Sequence, residues 1–183
     1  SRTYMAEFEP FFPHILRWEG GYADYKEDPG GCTNRGITLD TWRRFGYDKD
    51  GDGIITCKDV AQITEADAKA IYKKWFWEAN GGDKIENQKI AEIIIDWVIN
   101  SGAGIAIVRV QRILNGLGAN LVPDGIAGNK TIEAINIANQ KELYKRIWQE
   151  REQFYRTITA RNPAFRIFLQ GWLNRLNSFP KEI

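Results

Sequence analysis

The apolar positions of this 183-residue chain recur at helical spacing almost throughout, with little of the two-residue alternation that marks a half-buried strand. Phe12, Ile15 and Leu16 form one face of a first helix over 11–19, where Pro13 is tolerated because it falls in the first turn. Gly20-Gly21 then ends that helix. The segment 22–37 is polar and glycine-rich, includes Asp28-Pro29-Gly30-Gly31, and reads as a loop or a short hairpin. Thr38 caps a short helix that runs to Phe45 and closes at Gly46. Thr64 and Asp67 resemble a capping box, opening a helix to about Trp77 with Ile71, Tyr72, Trp75 and Phe76 as its apolar side.

The segment 88–100 is apolar almost all round, which predicts a buried central helix rather than a surface one. A helix follows Ser101-Gly102 as far as about Leu114, then a turn-rich stretch, 116–128, then helices near 130–138, 140–160 and 164–177. The chain is therefore mainly α. Its weakest seam lies at 79–88, dividing an N-terminal lobe, 8–87, from a helical region, 88–180, packed against it. The central helix needs cover on all sides, so two independent domains are not expected.

Composition narrows the function. A net charge of +1 gives no basis for a nucleic-acid binder held by phosphates. Asp96 interrupts the longest apolar run, so no segment reaches the length of a membrane span and no membrane insertion is expected. Seven Trp, seven Tyr and nine Phe exceed what a small core needs, and exposed rings suit the faces of sugars. Cys32 and Cys57 are too few for a zinc site or a disulfide framework; two free thiols are the expectation, with a single bridge as the alternative.

Glu19 is the residue with the clearest chemistry. It continues the stripe of Phe12, Ile15 and Leu16, so it is expected on the buried face, and it lies at the C-terminal end of the helix dipole. Both placements favour the protonated acid, the form that glycoside cleavage needs to protonate the departing oxygen. Gly20 and Gly21 remove bulk where a substrate would approach. The alternative is a structural Glu satisfied by an arginine such as Arg35.

Several motifs in order carry a family resemblance. Glu19-Gly20-Gly21-Tyr22, Asp28-Pro29-Gly30-Gly31 and Thr33-Asn34-Arg35-Gly36-Ile37-Thr38 resemble the start of glycoside hydrolase family 108. The likeness continues through Ile71-Tyr72, Trp75-Phe76-Trp77, Asp96 and Asn100-Ser101-Gly102. It then covers a companion peptidoglycan-binding region through Gln111, Leu114, Asp124-Gly125-Ile126-Ala127-Gly128, Thr131 and Gly171-Trp172-Leu173-Asn174-Arg175. The resemblance implies a lysozyme-like helical fold with a cleft between its lobes, and an N-acetylmuramidase with Glu19 as catalytic acid. Relatives are often phage or prophage endolysins, and some carry the label secretion activator.

A second catalytic group is less defined. Phage lysozymes place an Asp nine residues after the Glu and a Thr six further on; Asp28 fits the first spacing, while position 34 is Asn and Thr33 falls one residue early. Asp28 is the candidate base or cation stabiliser, with Thr33 or Asn34 holding a water; Asp28-Pro29-Gly30 is equally a turn sequence. Tyr22, Tyr25 and Trp77 are candidate sugar-stacking groups, with core packing as the alternative for Trp77. Asp96 and Asn100 are four apart on one helical face and either line the cleft floor or brace neighbouring backbone.

The run from Asp48 to Asp59 matches an EF-hand-type calcium loop inserted in the N-terminal lobe. Ligand oxygens fall at Asp48, Asp50, Asp52 and Thr56, with the Ile54 carbonyl at position seven, Gly53 at the sharp turn and Asp59 closing at twelve. Asp59 replaces the usual Glu and has a shorter reach. The ion is read as structural Ca2+, with no cofactor for catalysis; a solvated acidic turn is the alternative.

His14 is the only histidine, which leaves no basis for a Ser-His-Asp triad or a multi-His zinc site. The competing readings are a lytic transglycosylase and a non-catalytic wall-binding or secretion-associated protein. The expected partner is bacterial peptidoglycan, met by a monomer made in the cytoplasm that acts at the cell wall or periplasm. With no signal peptide visible in this chain, a holin is the simplest export route.

Overall fold

The computed structural model describes residues 4–24 and 31–183, which fall into two compact units, Phe8–Phe76 and a second made of the first seven positions with Trp77–Ile183. The chain passes from one to the other inside a π-helical segment, Tyr72–Glu78. Both units are mainly helical.

In the first unit, helix α1 (Phe12–Trp18) buries Phe12 and Ile15, with Pro13 in its first turn. Glu19 is its C-cap rather than its last helical residue: its backbone is extended (φ −96°, ψ 113°), and its N–H donates to the Ile15 carbonyl at 2.9 Å. The helical stripe therefore stops short of Glu19, and the side chain is half-buried instead of facing the core.

Strands β1 (Ala23–Asp24), β2 (Cys32–Asn34) and β3 (Ile37–Thr38) form a small antiparallel sheet in that order. Asn34 pairs with Ile37, so Arg35 and Gly36 are a two-residue hairpin turn. Both have positive φ, 53° and 79°, the geometry of a type I′ turn that matches strand twist. Arg35 is the only non-glycine residue with positive φ among the described residues.

Helix α2 (Leu39–Phe45) begins as expected, with the Thr38 hydroxyl accepting from the Thr41 N–H, and ends at Gly46, against which the Trp42 ring packs. Helices α3 (Cys57–Ala61) and α4 (Glu65–Ile71) each start with a complete capping box, Thr56 with Asp59 and Thr64 with Asp67. The core of this unit gathers Phe8, Phe11, Phe12, Ile15, Ile37, Trp42, Val60, Ile63 and Ile71.

Cys32 and Cys57 form a disulfide, which corrects the expectation of two free thiols. It joins β2 to the first residue of α3 across a sequence separation of 25. Such a pairing depends on tertiary placement, which spacing along the chain does not encode.

In the second unit, α5 (Gln88–Ser101) is the buried helix that the apolar run predicts, with every residue from Ile90 to Val98 buried. Helices α6 (Ala103–Gly116), α7 (Asn129–Ile137), α8 (Gln140–Arg161) and α9 (Arg166–Asn177) complete the unit. α5 packs on α6 and α8, and α8 on α9. Gln111 fixes the turn-rich segment between α6 and α7. Its amide nitrogen donates to Asp124, the Ile126 carbonyl and Thr131, and its oxygen accepts from the Gly125 N–H. No helix among the described residues is long and apolar enough to cross a membrane.

Candidate active site

Glu19 sits where α1 ends and the chain turns into the sheet. Among the described residues, a side chain added at Gly20 or Gly21 would meet nothing within 4 Å. Behind Glu19 the packing is tight. A Cβ placed on Gly36 would lie 2.6 Å from Glu19 Oε2 and 2.8 Å from its Cβ, and would also collide with the Tyr72 hydroxyl. Only glycine fits that contact, and its positive φ strains any other residue there as well.

The turn that carries Gly36 is clamped from two directions. The Tyr72 hydroxyl donates to the Arg35 carbonyl at 2.8 Å. Asn34 donates to the carbonyls of Val60, Ala61 and Ile63, and Arg35 Nε reaches the Ile63 carbonyl. The Cys32–Cys57 bridge ties the same strand to the same helix. Glu19, Gly36, Arg35 and Tyr72 thus form one constellation, held by a rigid hairpin. Tyr72 was legible as part of an apolar helix face and of the family resemblance; nothing in its spacing marks it as a neighbour of Glu19.

The other candidate residues of this unit are distributed around that hairpin. Thr33 is half-buried in β2, opposite Ala23 and Thr38. Asn34 is buried, and its amide nitrogen serves the backbone of 60–63. Tyr22 is 46% exposed just before β1, with its hydroxyl held above the usual phenol range by partial desolvation and then by Asp24. Asp28 and Tyr25 lie outside the described residues.

Trp77, Asp96 and Asn100 belong to the second unit. Trp77 is 1% exposed and packs against Gly82, which makes it a core residue. Asp96 is fully buried between Arg151 of α8, at 2.7 Å, and Arg175 of α9, at 2.8 Å. Arg151 Nε also donates to the Tyr155 hydroxyl, which donates in turn to Asn100 Oδ1. Asp96 and Asn100 do share a helical face, but it braces α5 against α8 and α9. Of the two roles open from the sequence, the geometry gives the bracing one.

The loop 48–59 brings the carboxylates of Asp48, Asp50, Asp52 and Asp59 within 4.8 Å of one another, a cluster able to hold a metal ion. Gly53 takes a φ of 87° and donates its N–H to Asp48. Asp59 is already engaged within the loop: its oxygens accept from the N–H groups of Lys49, Asp50 and Thr56. Those bonds, the Thr56 one foremost, hold its carboxyl below the usual range despite desolvation. Asp50 shifts the other way, through desolvation and the proximity of Asp52 and Asp48. The Thr56 hydroxyl serves as N-cap of α3, and the Ile54 side chain is exposed. Lys49 links the loop to α4 through a 2.6 Å ion pair with Asp67.

Comparison with known proteins decides the lineage. The glycosyl hydrolase 108 family model matches residues 12–102, and a predicted peptidoglycan domain matches residues 105–177. The chain belongs to the glycosyl hydrolase 108 family. Among solved structures it is similar to SagA of Brucella abortus, with 26% identity and a TM-score of 0.73 over 94% of this chain and 90% of that one. No curated protein matches it. The family models divide at 102–105, so the glycosyl hydrolase match takes in α5 as well as the whole hairpin constellation around Glu19. Membership supports a glycoside hydrolase related to peptidoglycan and acting at the cell wall.

Proposed function

We propose that this glycosyl hydrolase 108 protein is an N-acetylmuramidase, hydrolysing the β-1,4 bond between N-acetylmuramic acid and N-acetylglucosamine in peptidoglycan. Glu19 is the general acid that protonates the departing oxygen. The supporting observation is its setting: half-buried at the end of α1, followed by Gly20 and Gly21, and backed by Gly36. A carboxyl so held approaches a bound glycosidic oxygen with little reorganisation. Asp28 is the proposed second group, either activating water or stabilising the cationic sugar, and Thr33 is the proposed water holder. Tyr22, exposed beside the hairpin, is the proposed stacking surface for a sugar ring.

The test is clearing of purified peptidoglycan by wild type and by Glu19→Gln. Loss of the acid is expected to slow turnover about 10²–10⁴-fold. Equal clearing by both proteins would remove Glu19 from the mechanism. Mass analysis of the products distinguishes the reducing ends of a hydrolase from the anhydro ends of a transglycosylase.

The acidic loop is proposed as a structural Ca2+ site. Asp48, Asp50, Asp52 and the Ile54 carbonyl would supply the oxygens, and Asp59 would close the loop chiefly through its backbone bonds. The ion would neutralise clustered carboxylates and fix the segment between α2 and α3. It takes no part in the chemistry at Glu19.

A further inference from the structure

Arg35 holds a backbone conformation for which its turn does not need an arginine. It is the only non-glycine residue with positive φ among the described residues, at 53°, and takes the first place in the turn between Asn34 and Ile37. Asparagine before Gly36 would make the dipeptide that type I′ turns favour, and glycine would adopt the same φ without strain. Strain retained where an unstrained residue would serve points to a role for the side chain.

That side chain is half-buried, and among the described residues its guanidinium makes one hydrogen bond, from Nε to the Ile63 carbonyl at 3.3 Å. No carboxylate among those residues pairs with it. The Nε bond steadies the arm and leaves both terminal nitrogens, which can grip an anion, without a described partner. The base of the arm is fixed as well, because Tyr72 donates to the Arg35 carbonyl at 2.8 Å. The next residue is Gly36, where an added Cβ would lie 2.6 Å from Glu19 Oε2. Consecutive α-carbons are about 3.8 Å apart, so this guanidinium is rooted beside the proposed acid.

Position then decides the occupant. An anion reached from this turn lies next to the bond that Glu19 would cleave. It therefore belongs to the strand being cleaved and not to a separate polymer or a membrane. The N-acetylated sugars of that strand carry no charge, and the lactyl carboxyl of muramic acid is taken up in the amide link to its peptide. The free carboxylates are those of the peptide, and a planar guanidinium fork matches a carboxylate in shape and charge.

We propose that Arg35 is a specificity-determining residue that takes a carboxylate of the peptide stem on muramic acid. Resting on the reading that Glu19 acts on peptidoglycan, this names the form of the substrate that the site selects: strands with acidic stems over bare glycan.

Affinity is measured on the full chain carrying Glu19→Gln, so that nothing is cleaved, with soluble glycan oligomers in three forms. These carry intact stems, stems with amidated carboxylates, or no stems. Intact stems are expected to bind on the order of tenfold tighter than either other form, as fits one charge-assisted hydrogen bond. Adding Arg35→Asn should close that gap while the melting temperature holds or rises, because asparagine suits the turn better. Arg35→Lys keeps the charge without the fork and should retain part of the gap. A purely structural Arg35 would give a lower melting temperature in Arg35→Asn with the gap intact, and that result would overturn the proposal. Equal affinity of the Glu19→Gln chain for intact and amidated stems would overturn it too. Binding of no oligomer in any form would remove the peptidoglycan reading and the proposal with it, whereas the role of Glu19 as acid is tested separately by the clearing assay.

Discussion

The α-carbon of Gly36 backs directly onto the carboxylate side chain of Glu19, close enough that a methyl group at position 36 would lie 2.6 Å from Oε2. The contact couples a hairpin turn to the proposed acid. Any change in the turn is a change in where Glu19 points.

Gly36→Ala is therefore expected to reduce activity more than its cost to stability alone would suggest. The positive φ and the crowding by Glu19 and Tyr72 should cost about 1–3 kcal/mol, and the carboxylate must move to make room. A melting curve and peptidoglycan clearing on the same sample check this. Native activity at a lowered melting temperature would separate the turn from the site. Tyr72→Phe is the milder partner: it removes the bond to the Arg35 carbonyl without adding bulk.

The acidic loop predicts a calcium-dependent melting temperature. A ligand bound only by the folded chain stabilises it by about 2.7 kcal/mol at a hundredfold excess over Kd. Chelation should lower the melting temperature of the wild type and leave Asp50→Asn with Asp52→Asn nearly unaffected. An identical melt with calcium and with chelator would dismiss the ion.

Reduction of the Cys32–Cys57 bridge should destabilise the first unit by about 2–4 kcal/mol, the usual contribution of one disulfide. The bridge holds β2 to α3, but Asn34 makes the same connection through three carbonyls. Cys32→Ser with Cys57→Ser should consequently remain folded at room temperature, with a lowered melting temperature that reductant no longer shifts.

What the sequence disclosed followed the range of each interaction. Thr38, Thr64 and Asp67 act within one helical turn, so their caps were readable from neighbouring positions and appear as expected. α5 was readable because an all-apolar helix can only be buried. The sequence offered Glu19 as a candidate acid but not its exit from the helix, because ψ at a C-cap is set by the glycines and sheet that follow. The approach of Gly36 and Tyr72 to Glu19 is tertiary, and Arg35-Gly36 between Asn34 and Ile37 is not one of the dipeptides that signal a hairpin turn. Asp96 looked equally able to touch substrate, because its two arginines lie 55 and 79 residues away.

Acidification should weaken the join between the cation loop and α4. Burial alone would raise the Asp67 carboxyl, but Lys49, the Thr64 backbone and hydroxyl, and Tyr47 outweigh it and hold it below the usual range. A depressed acid contributes stability above its ordinary value, near pH 4, and loses it as pH falls through the depressed one. Lys49 is raised, chiefly by Asp67, so its contribution is full below the ordinary lysine value and is lost as pH rises through the raised one. Wild type should thus lose melting temperature more steeply than Asp67→Asn below about pH 4, while the two converge at the acid extreme. Parallel curves would show that the ion pair adds nothing.

Asp96 gives the strongest expected effect in the second unit. Its two oxygens meet Arg151 and Arg175, both almost fully buried. Removing one partner from a buried ionic cluster costs about 3–5 kcal/mol, because the remaining charges lose compensation without regaining water. Asp96→Ala leaves two guanidinium groups facing each other and should unfold this unit or lower its melting temperature sharply. Asp96→Asn keeps the shape and one acceptor and should fall between. Activity on peptidoglycan distinguishes bracing from substrate contact. If Asp96 only braces, the folded fraction of Asp96→Asn, measured well below its melting temperature, should cleave at the wild-type rate. A stable Asp96→Asn protein that no longer cleaves would return Asp96 to the active site.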